Sequence, residues 1–254
     1  MNRNGGDLVA LFALADTHLS LSVNKPMDIF GNRWENHTEK LSAGWRSCVT
    51  DRDTVVIPGD ISWAMTLRDA GADLHFLDDL PGKKLLLRGN HDFWWSSALK
   101  MNAFFEQEQI RSVSFLQNSG CYAEGYILAG SRGWYQDEKN APRDADYRKI
   151  VLREAMRLDM SIKSGIAAWG GEASERPEIL CFLHFPPVFR EYVCREILDV
   201  LHVWGITRCF YGHIHGVYNM PPLQRYEDVS FIPVSADYLN FIPLRIPEAE
   251  QNHE

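Results

Sequence analysis

Long apolar runs are missing from this sequence. The longest, residues 8–15, falls far short of the roughly 20 residues that cross a bilayer, so no membrane association is expected. Paired cysteines are missing too. The five, at positions 48, 121, 181, 194 and 209, are odd in number and form no Cys-x-x-Cys pair. That pattern argues against a disulfide framework or a cysteine zinc site and fits reduced thiols in a cytoplasmic chain. Positive charge is scarce: 26 Lys and Arg face 34 Asp and Glu, a formal charge of −8. Such a surface repels polyanions, so nucleic acid is not an expected partner. Gly82-Lys83-Lys84 lacks the upstream glycine and the succeeding Ser or Thr of a nucleotide-binding P-loop. With no repeat, linker or low-complexity tract, residues 1–254 read as one domain large enough to bury a full core.

The N-terminus imitates a secretion leader, with Arg3 ahead of the apolar stretch and Ala13-Leu14-Ala15 resembling a cleavage site. Asp7 interrupts the basic side and the stretch is short, so it reads as a buried strand. Asn36-His37-Thr38 matches a glycosylation sequon that means little in a cytoplasmic chain.

Short apolar runs recur at 8–15, 54–57, 84–87, 126–129, 179–183, 208–211 and 229–234, each of strand length. Helical stripes lie between them. Trp34, Thr38, Leu41, Trp45 and Cys48 form one, with Asn32 and Glu35 spaced as a capping box. Leu67, Ala70, Leu74 and Leu77 form a second. Tyr147, Val151, Ala155, Leu158 and Ile162 form a third, and Val193, Ile197, Leu201 and Trp204 a fourth, stopped by Gly205. Strands alternating with helices predict an α/β protein. Glu124-Gly125 reads as a hairpin turn, and residues 169–178 as an exposed loop.

The residues just beyond each strand are informative. The runs lead into Asp16-Thr17-His18, Gly59-Asp60, Gly89-Asn90-His91-Asp92, His184 and Gly212-His213-Ile214-His215. In open α/β sheets the C-terminal strand ends are where ligands bind. Five of nine histidines fall there, whereas His37, His75, His202 and His253 read as packing or surface residues. Imidazoles and carboxylates without thiolates suit Mn, Fe or Zn. Asp-x-His and His-x-His put alternate side chains on one side of an extended segment. Asp16, His18, Asp60, Asn90, His184, His213 and His215 number seven, more than one tetrahedral ion takes, so two ions sharing a ligand are expected.

These five blocks, in this order, resemble the calcineurin-like metallophosphoesterases. The resemblance spans residues 16–215 and lacks no ligand. It implies two mixed β-sheets packed as a sandwich with flanking helices. It implies that Asp16, His18 and His215 hold one metal, that Asn90, His184 and His213 hold the other, and that Asp60 bridges them. It further implies hydrolysis of a phosphate ester, diester or monoester, by a metal-bridging hydroxide. His91 would contact the phosphoryl group and assist the leaving oxygen, and Asp92 would orient and charge that imidazole. The alternative is a non-catalytic metal-binding interaction scaffold on the same fold; the complete ligand set and His91 argue against it.

The partner expected is a small phosphorylated molecule, with nucleotide-like compounds among the candidates. Trp63, Trp94, Trp95 and Trp134 lie near strand ends where a flat group could stack. Arg132, Arg143 and Arg190 are candidate phosphate clamps, with Arg132 and Trp134 the preferred substrate contacts. Residues 24–40 come after the first ligand pair and could rim the pocket.

Overall fold

The structure is a computed structural model and describes residues 9–116, 118–134 and 146–247. Strands β1 (Leu11–Ala13), β2 (Thr54–Pro58), β3 (Lys83–Leu87) and β4 (Val113–Phe115) precede β5 (Cys121–Ala123), β6 (Tyr126–Ser131) and β7 (Ile179–Leu183). A small hairpin comes next, β8 (Val188–Phe189) and β9 (Tyr192–Val193), and then β10 (Arg208–Tyr211), β11 (Gln224–Tyr226), β12 (Val229–Pro233) and β13 (Leu244–Arg245). The helices are α1 (His37–Cys48), α2 (Gly71–Asp78), α3 (Ala98–Gln107), α4 (Tyr147–Trp169) and α5 (Arg195–Val203).

Two mixed sheets result. One runs β13-β1-β2-β3-β4, with β1 to β4 parallel and β13 antiparallel at its edge. The other runs β11-β12-β10-β7-β6-β5, parallel in its centre and antiparallel at both edges. The central strands are buried on both faces, which explains why they read as unbroken apolar runs. Alternation sorts their side chains between layers. Leu11, Ala13, Val56 and Leu87 meet Leu128, Leu180, Phe182 and Phe210 between the sheets. Phe12, Val55, Ile57 and Leu86 face outward onto Leu41, Trp45, Leu74 and Met101 of α1, α2 and α3. Ile127, Cys181 and Cys209 face outward onto Leu158, Ile162 and Ile197 of α4 and α5. Each such fully buried aliphatic side chain contributes roughly 1.5–3 kcal/mol of transfer free energy.

The predicted strands all form, with ends shifted by a few residues; residue 8, where the first run begins, lies outside the described residues. Helix α1 starts later than its stripe. Trp34 sits in a separate 3-10 turn, Asn32–Trp34, and Asn36 is the helix N-cap, without a side-chain bond. The expected capping box at Asn32 and Glu35 is therefore absent. Glu124 and Gly125 both take positive φ, 51° and 83°, the geometry of a tight hairpin turn between β5 and β6. Residues 169–178 are exposed apart from half-buried Trp169, Pro177 and Glu178, as expected of a loop, although α4 runs on to Trp169. All five cysteines are free thiols. Among the described residues no helix is long and apolar enough to cross a membrane.

The two sheets join at one edge. Beyond β1, Ala15 pairs with Ser235, which lies beyond β12. Its N–H donates to Val234 O at 2.7 Å, and its carbonyl accepts from Ala236 N at 2.9 Å. This stitch brings the C-terminal strand ends of both sheets together.

Candidate metal centre

The sequence-predicted ligands meet at that edge. Asp16 and His18 come after β1, Asp60 after β2, Asn90 after β3, His184 after β7, and His213 and His215 after β10. Asp16, His18, Asp60 and His184 are almost fully buried. Asp16, His18, Asp60 and His213 all take positive φ, between 45° and 71°. Non-glycine residues rarely sit there, and such strain clusters at functional sites. The turns aim four donors inward that an extended continuation of the strands would carry past the site.

Glycines permit the crowding. A Cβ on Gly89 would lie 2.1 Å from Asp60 Oδ1, and one on Gly212 would lie 2.6 Å from Asp16 Oδ2. No larger residue fits either place without displacing a carboxylate.

Two groups of donors emerge. Asp16, His18 and His215 offer atoms within 4.8 Å of one another, and so do Asp60, His184 and His213. In the first group His18 Nε2 stands 3.2 Å from His215 Nε2, which is 3.6 Å from Asp16 Oδ1. In the second, His184 Nε2 stands 3.5 Å from Asp60 Oδ1 and 2.6 Å from Asn90 Oδ1. Asp60 joins the two, because its other oxygen, Oδ2, lies 3.8 Å from His18 Nε2. Two ligands on a tetrahedral ion with bonds of roughly 2.0–2.1 Å stand roughly 3.4 Å apart. The donors therefore fit two cations in chemistry and in spacing.

The outer bonds fix which ring nitrogen faces inward. His184 Nδ1 donates to Pro58 O at 3.1 Å, and His215 Nδ1 donates to Asp237 Oδ1 at 2.9 Å. Each leaves Nε2 turned to the centre, the usual arrangement of a ligating imidazole. Asp16 accepts the His213 backbone N–H at 2.9 and 3.1 Å.

The electrostatics point the same way. Burial, then the neighbouring Asp16 and Asp92, push the Asp60 carboxyl well above its ordinary range. Burial and neighbouring histidines hold His18 well below its ordinary value; burial does the same to His184 and takes His213 to about 3, both against opposing contacts. Burial also opposes charge on His215, but Asp16 and Asp237 outweigh it and raise that ring to about 10. Neutral imidazoles at His18, His184 and His213 beside crowded carboxylates suit a cation, which at His215 would take the place of the proton that Asp16 and Asp237 hold there.

The comparisons agree with the geometry. Residues 11–217 match the sequence profile of the calcineurin-like phosphoesterases. The chain belongs to that family. A shorter match joins it to the Gene 66 protein of Mycobacterium phage L5, 45% identical over 58 residues. That match spans 23% of this chain and 28% of the phage protein. In fold it is similar to a phosphopantetheinyl hydrolase from Mycobacterium tuberculosis, with a TM-score of 0.54 and 13% identity over 98% of this chain and 99% of the other. A protein of unknown function from Aquifex aeolicus aligns with a TM-score of 0.47 and 14% identity over 93% of this chain and 95% of the other.

One role expected from the family pattern is corrected. The Asp92 carboxylate does not bond the His91 imidazole. It accepts five N–H groups: Gly89 N at 2.7 Å, Ile61 N at 2.8 Å, Asp60 N at 2.9 Å, Trp94 Nε1 at 3.0 Å and Ser62 N at 3.2 Å. The carboxylate thus ties the Gly59-Asp60 turn to the Gly89-Asn90 turn. His91 belongs to neither donor group but borders Asp60. Its ring is 37% exposed, its Nε2 lies 4.0 Å from Asp60 Oδ2, and its backbone N–H donates to Asp60 Oδ1 at 2.8 Å.

Beside the two donor groups lies a cavity of about 300 Å³, lined by His18, His91 and His215 and by Met27, Trp34 and Trp63. Residues 24–40 do rim it. Trp63 stacks on His18 with ring centres 5.1 Å apart and lies 4.3 Å from His91. The other tryptophans expected to stack on a ligand do not reach this cavity. Trp94 is buried and donates to Asp92; Trp95 borders a different pocket; Trp134 packs on Phe185 and Tyr147. Arg190 is exposed and lies over Phe189, and Arg143 lies outside the described residues. Sequence reasoning missed Asp237. Its signal was present, since Ser235-Ala236-Asp237 comes after the run 229–234 as the other ligand blocks come after theirs.

Proposed function

We propose that the protein is a dinuclear-metal phosphoesterase acting on a small phosphorylated molecule. Asp16, His18 and His215 would hold one cation, Asn90, His184 and His213 the second, with Asp60 between them. The observation that carries this reading is Asp60, whose two oxygens face one donor group each, at 3.8 Å from His18 and 3.5 Å from His184. Imidazole and carboxylate donors without sulfur favour Mn, Fe or Zn. Cations bound there would supply an acidified water as nucleophile and neutralise phosphoryl oxygens.

The chain's own groups do the rest. His91, half-exposed at the cavity wall, is placed to donate from Nε2 to a phosphoryl or leaving oxygen. Trp34, Trp63 and Met27 offer an apolar wall to the alcohol part of the ester, which favours a flat or apolar leaving group such as a nucleoside. Lys25 sits 4.5 Å over the Trp63 ring and Arg33 3.8 Å over Tyr218, so the rim carries the positive charge that attracts an anionic substrate.

The test is hydrolysis of bis-p-nitrophenyl phosphate and p-nitrophenyl phosphate with Mn²⁺, wild type beside Asp60→Asn, with metal content measured on both. Two ions per chain and turnover that falls at least a hundredfold in the variant are expected. Undiminished turnover in Asp60→Asn would sink the reading. The ratio between the two compounds separates diester from monoester preference.

A further inference from the structure

A second pocket, of about 260 Å³, lies at the C-terminal ends of β3, β4 and β6 and is built from arginines: Arg88, Arg132, Arg153 and Arg157. We propose that it binds a second phosphate group of the substrate, distinct from the one hydrolysed. This rests on the phosphoesterase reading and narrows it to esters that carry another phosphate.

The arginines come from three elements. Arg88 lies directly after β3, Arg132 directly after β6, and Arg153 and Arg157 stand one turn apart on the same face of α4. A single acid lies among them. Glu154 is 1% exposed, bonds Arg157 Nη1 at 2.6 Å and stands 4.0 Å from Arg132. Four cations against one carboxylate leave a local charge of about +3 in a chain whose formal total is −8. Among the described residues Arg88 and Arg153 form no ion pair, and Arg132 Nε is buried without a hydrogen-bond partner. Like charges gathered in this way repel one another and lower the stability of the fold. A dianion among them removes the repulsion, and planar guanidinium forks match phosphate oxygens in pairs. The cavity has room for several waters of roughly 30 Å³ each, and so for a phosphate group.

Its position makes the anion part of the substrate. Arg88 is two residues before Asn90, so the two Cα atoms lie at most about 7 Å apart. The Arg132 carbonyl accepts from Phe185 N at 2.9 Å, which sets Arg132 beside His184. Trp95 forms part of the pocket wall and lies in the Asn90-to-Ser97 stretch that also holds Asp92. One molecule can therefore keep its scissile ester at the centre and reach the arginines with a second phosphate.

The experiment separates this pocket from the metal centre. Protein stripped of metal by chelation is titrated calorimetrically with pyrophosphate at low salt. Wild type and Asp60→Asn should each bind one pyrophosphate with similar affinity. Arg88→Gln/Arg153→Gln should bind at least tenfold more weakly. Both side chains are exposed, so the substitutions leave the buried Glu154 contacts intact, and a thermal melt checks the fold. Binding that survives the double substitution overturns the pocket. Binding lost in Asp60→Asn puts the anion at the histidine cluster and overturns it as well. In turnover, KM for adenosine 3′,5′-bisphosphate should rise at least tenfold in the double variant while kcat holds. A KM that stays put while pyrophosphate affinity falls assigns the pocket to free phosphate and overturns the substrate role. If no ester is hydrolysed by any form, the phosphoesterase reading fails, and the titration still decides whether the arginines bind phosphate.

Discussion

Asp237 Oδ1 accepts the His215 Nδ1 proton at 2.9 Å, and this bond turns His215 Nε2 toward His18 and Asp16. The other carboxylate oxygen accepts from Gly216 N and Tyr218 OH, both at 3.1 Å. One buried acid thus fixes the orientation of a candidate ligand and of the loop beyond it.

Loss of that orienting bond should weaken metal binding without abolishing the fold. Outer partners of metal ligands are typically worth about 10–100-fold in metal affinity. Asp237→Asn should raise the Mn²⁺ concentration needed for half-maximal activity by a factor in that range, with activity recovered at high Mn²⁺. An unchanged activation curve would show that His215 does not depend on Asp237.

Asp92 positions both turns that carry candidate ligands, Gly59-Asp60 and Gly89-Asn90. Asparagine would present an NH₂ group where five N–H donors converge on a carboxylate. Hydrogen bonds to charged groups are each worth about 1.5–3 kcal/mol, so the net loss should reach about 3 kcal/mol. At roughly 2–4 °C per kcal/mol for a chain of this size, Asp92→Asn should melt about 10 °C lower. Melts of metal-stripped protein isolate this effect. A variant of full stability whose pH–rate profile alone is displaced would restore the role of charging His91.

Lys84 gives the fold a calculable pH response. Its side chain is fully buried and donates to Leu80 O at 2.5 Å and Gly82 O at 2.7 Å. Burial lowers its pKa to about 8, against the pull of Asp78, Asp51 and Asp79. The unfolded chain keeps this proton up to about 10.4. Between those values the unfolded state binds more protons, so stability gains as pH rises. Below about 8 both states are protonated and the folded form bears the full desolvation cost. The stability of wild type relative to Lys84→Met should therefore climb from pH 8 to pH 10 and stay level below that. Urea unfolding at pH 7, 8, 9 and 10 checks it, and a difference that is flat with pH refutes the shift.

The strands and the candidate ligands at their ends were legible because one physical rule produced them. Buried parallel strands must be apolar, and turns at their ends must carry whatever the site needs. The two donor groups in the structure contain Asp16, His18, His215, Asp60, His184 and His213, and Asn90 bonds into the second at 2.6 Å. Asp237 was not singled out because the run before it ends without a recognised motif. The role of Asp92 came from the family resemblance, which pairs it with the His91 imidazole. In the turn, its carboxylate instead faces the backbone of the neighbouring loop. Helix α3 escaped because its stripe is short, although Ser97 caps it by accepting from Lys100 N. The arginine pocket was invisible beyond Arg132, since Arg88 and Arg157 are 69 residues apart in sequence and only the fold, with α4 packed on β6, gathers them.

The left-handed backbone at Asp16, His18, Asp60 and His213 also limits how the site can change. Asp, Asn and His tolerate that conformation better than other residues that carry side chains. Glutamate has the same carboxylate as aspartate, and cysteine offers a thiolate, yet neither shares this tolerance. A donor swap at these four positions must therefore satisfy the chain before it satisfies the ion. The preference for oxygen and nitrogen over sulfur is written into the torsion angles as well as into the ligand chemistry, and variation among descendants of this sequence should fall on the surrounding wall before it reaches the donors.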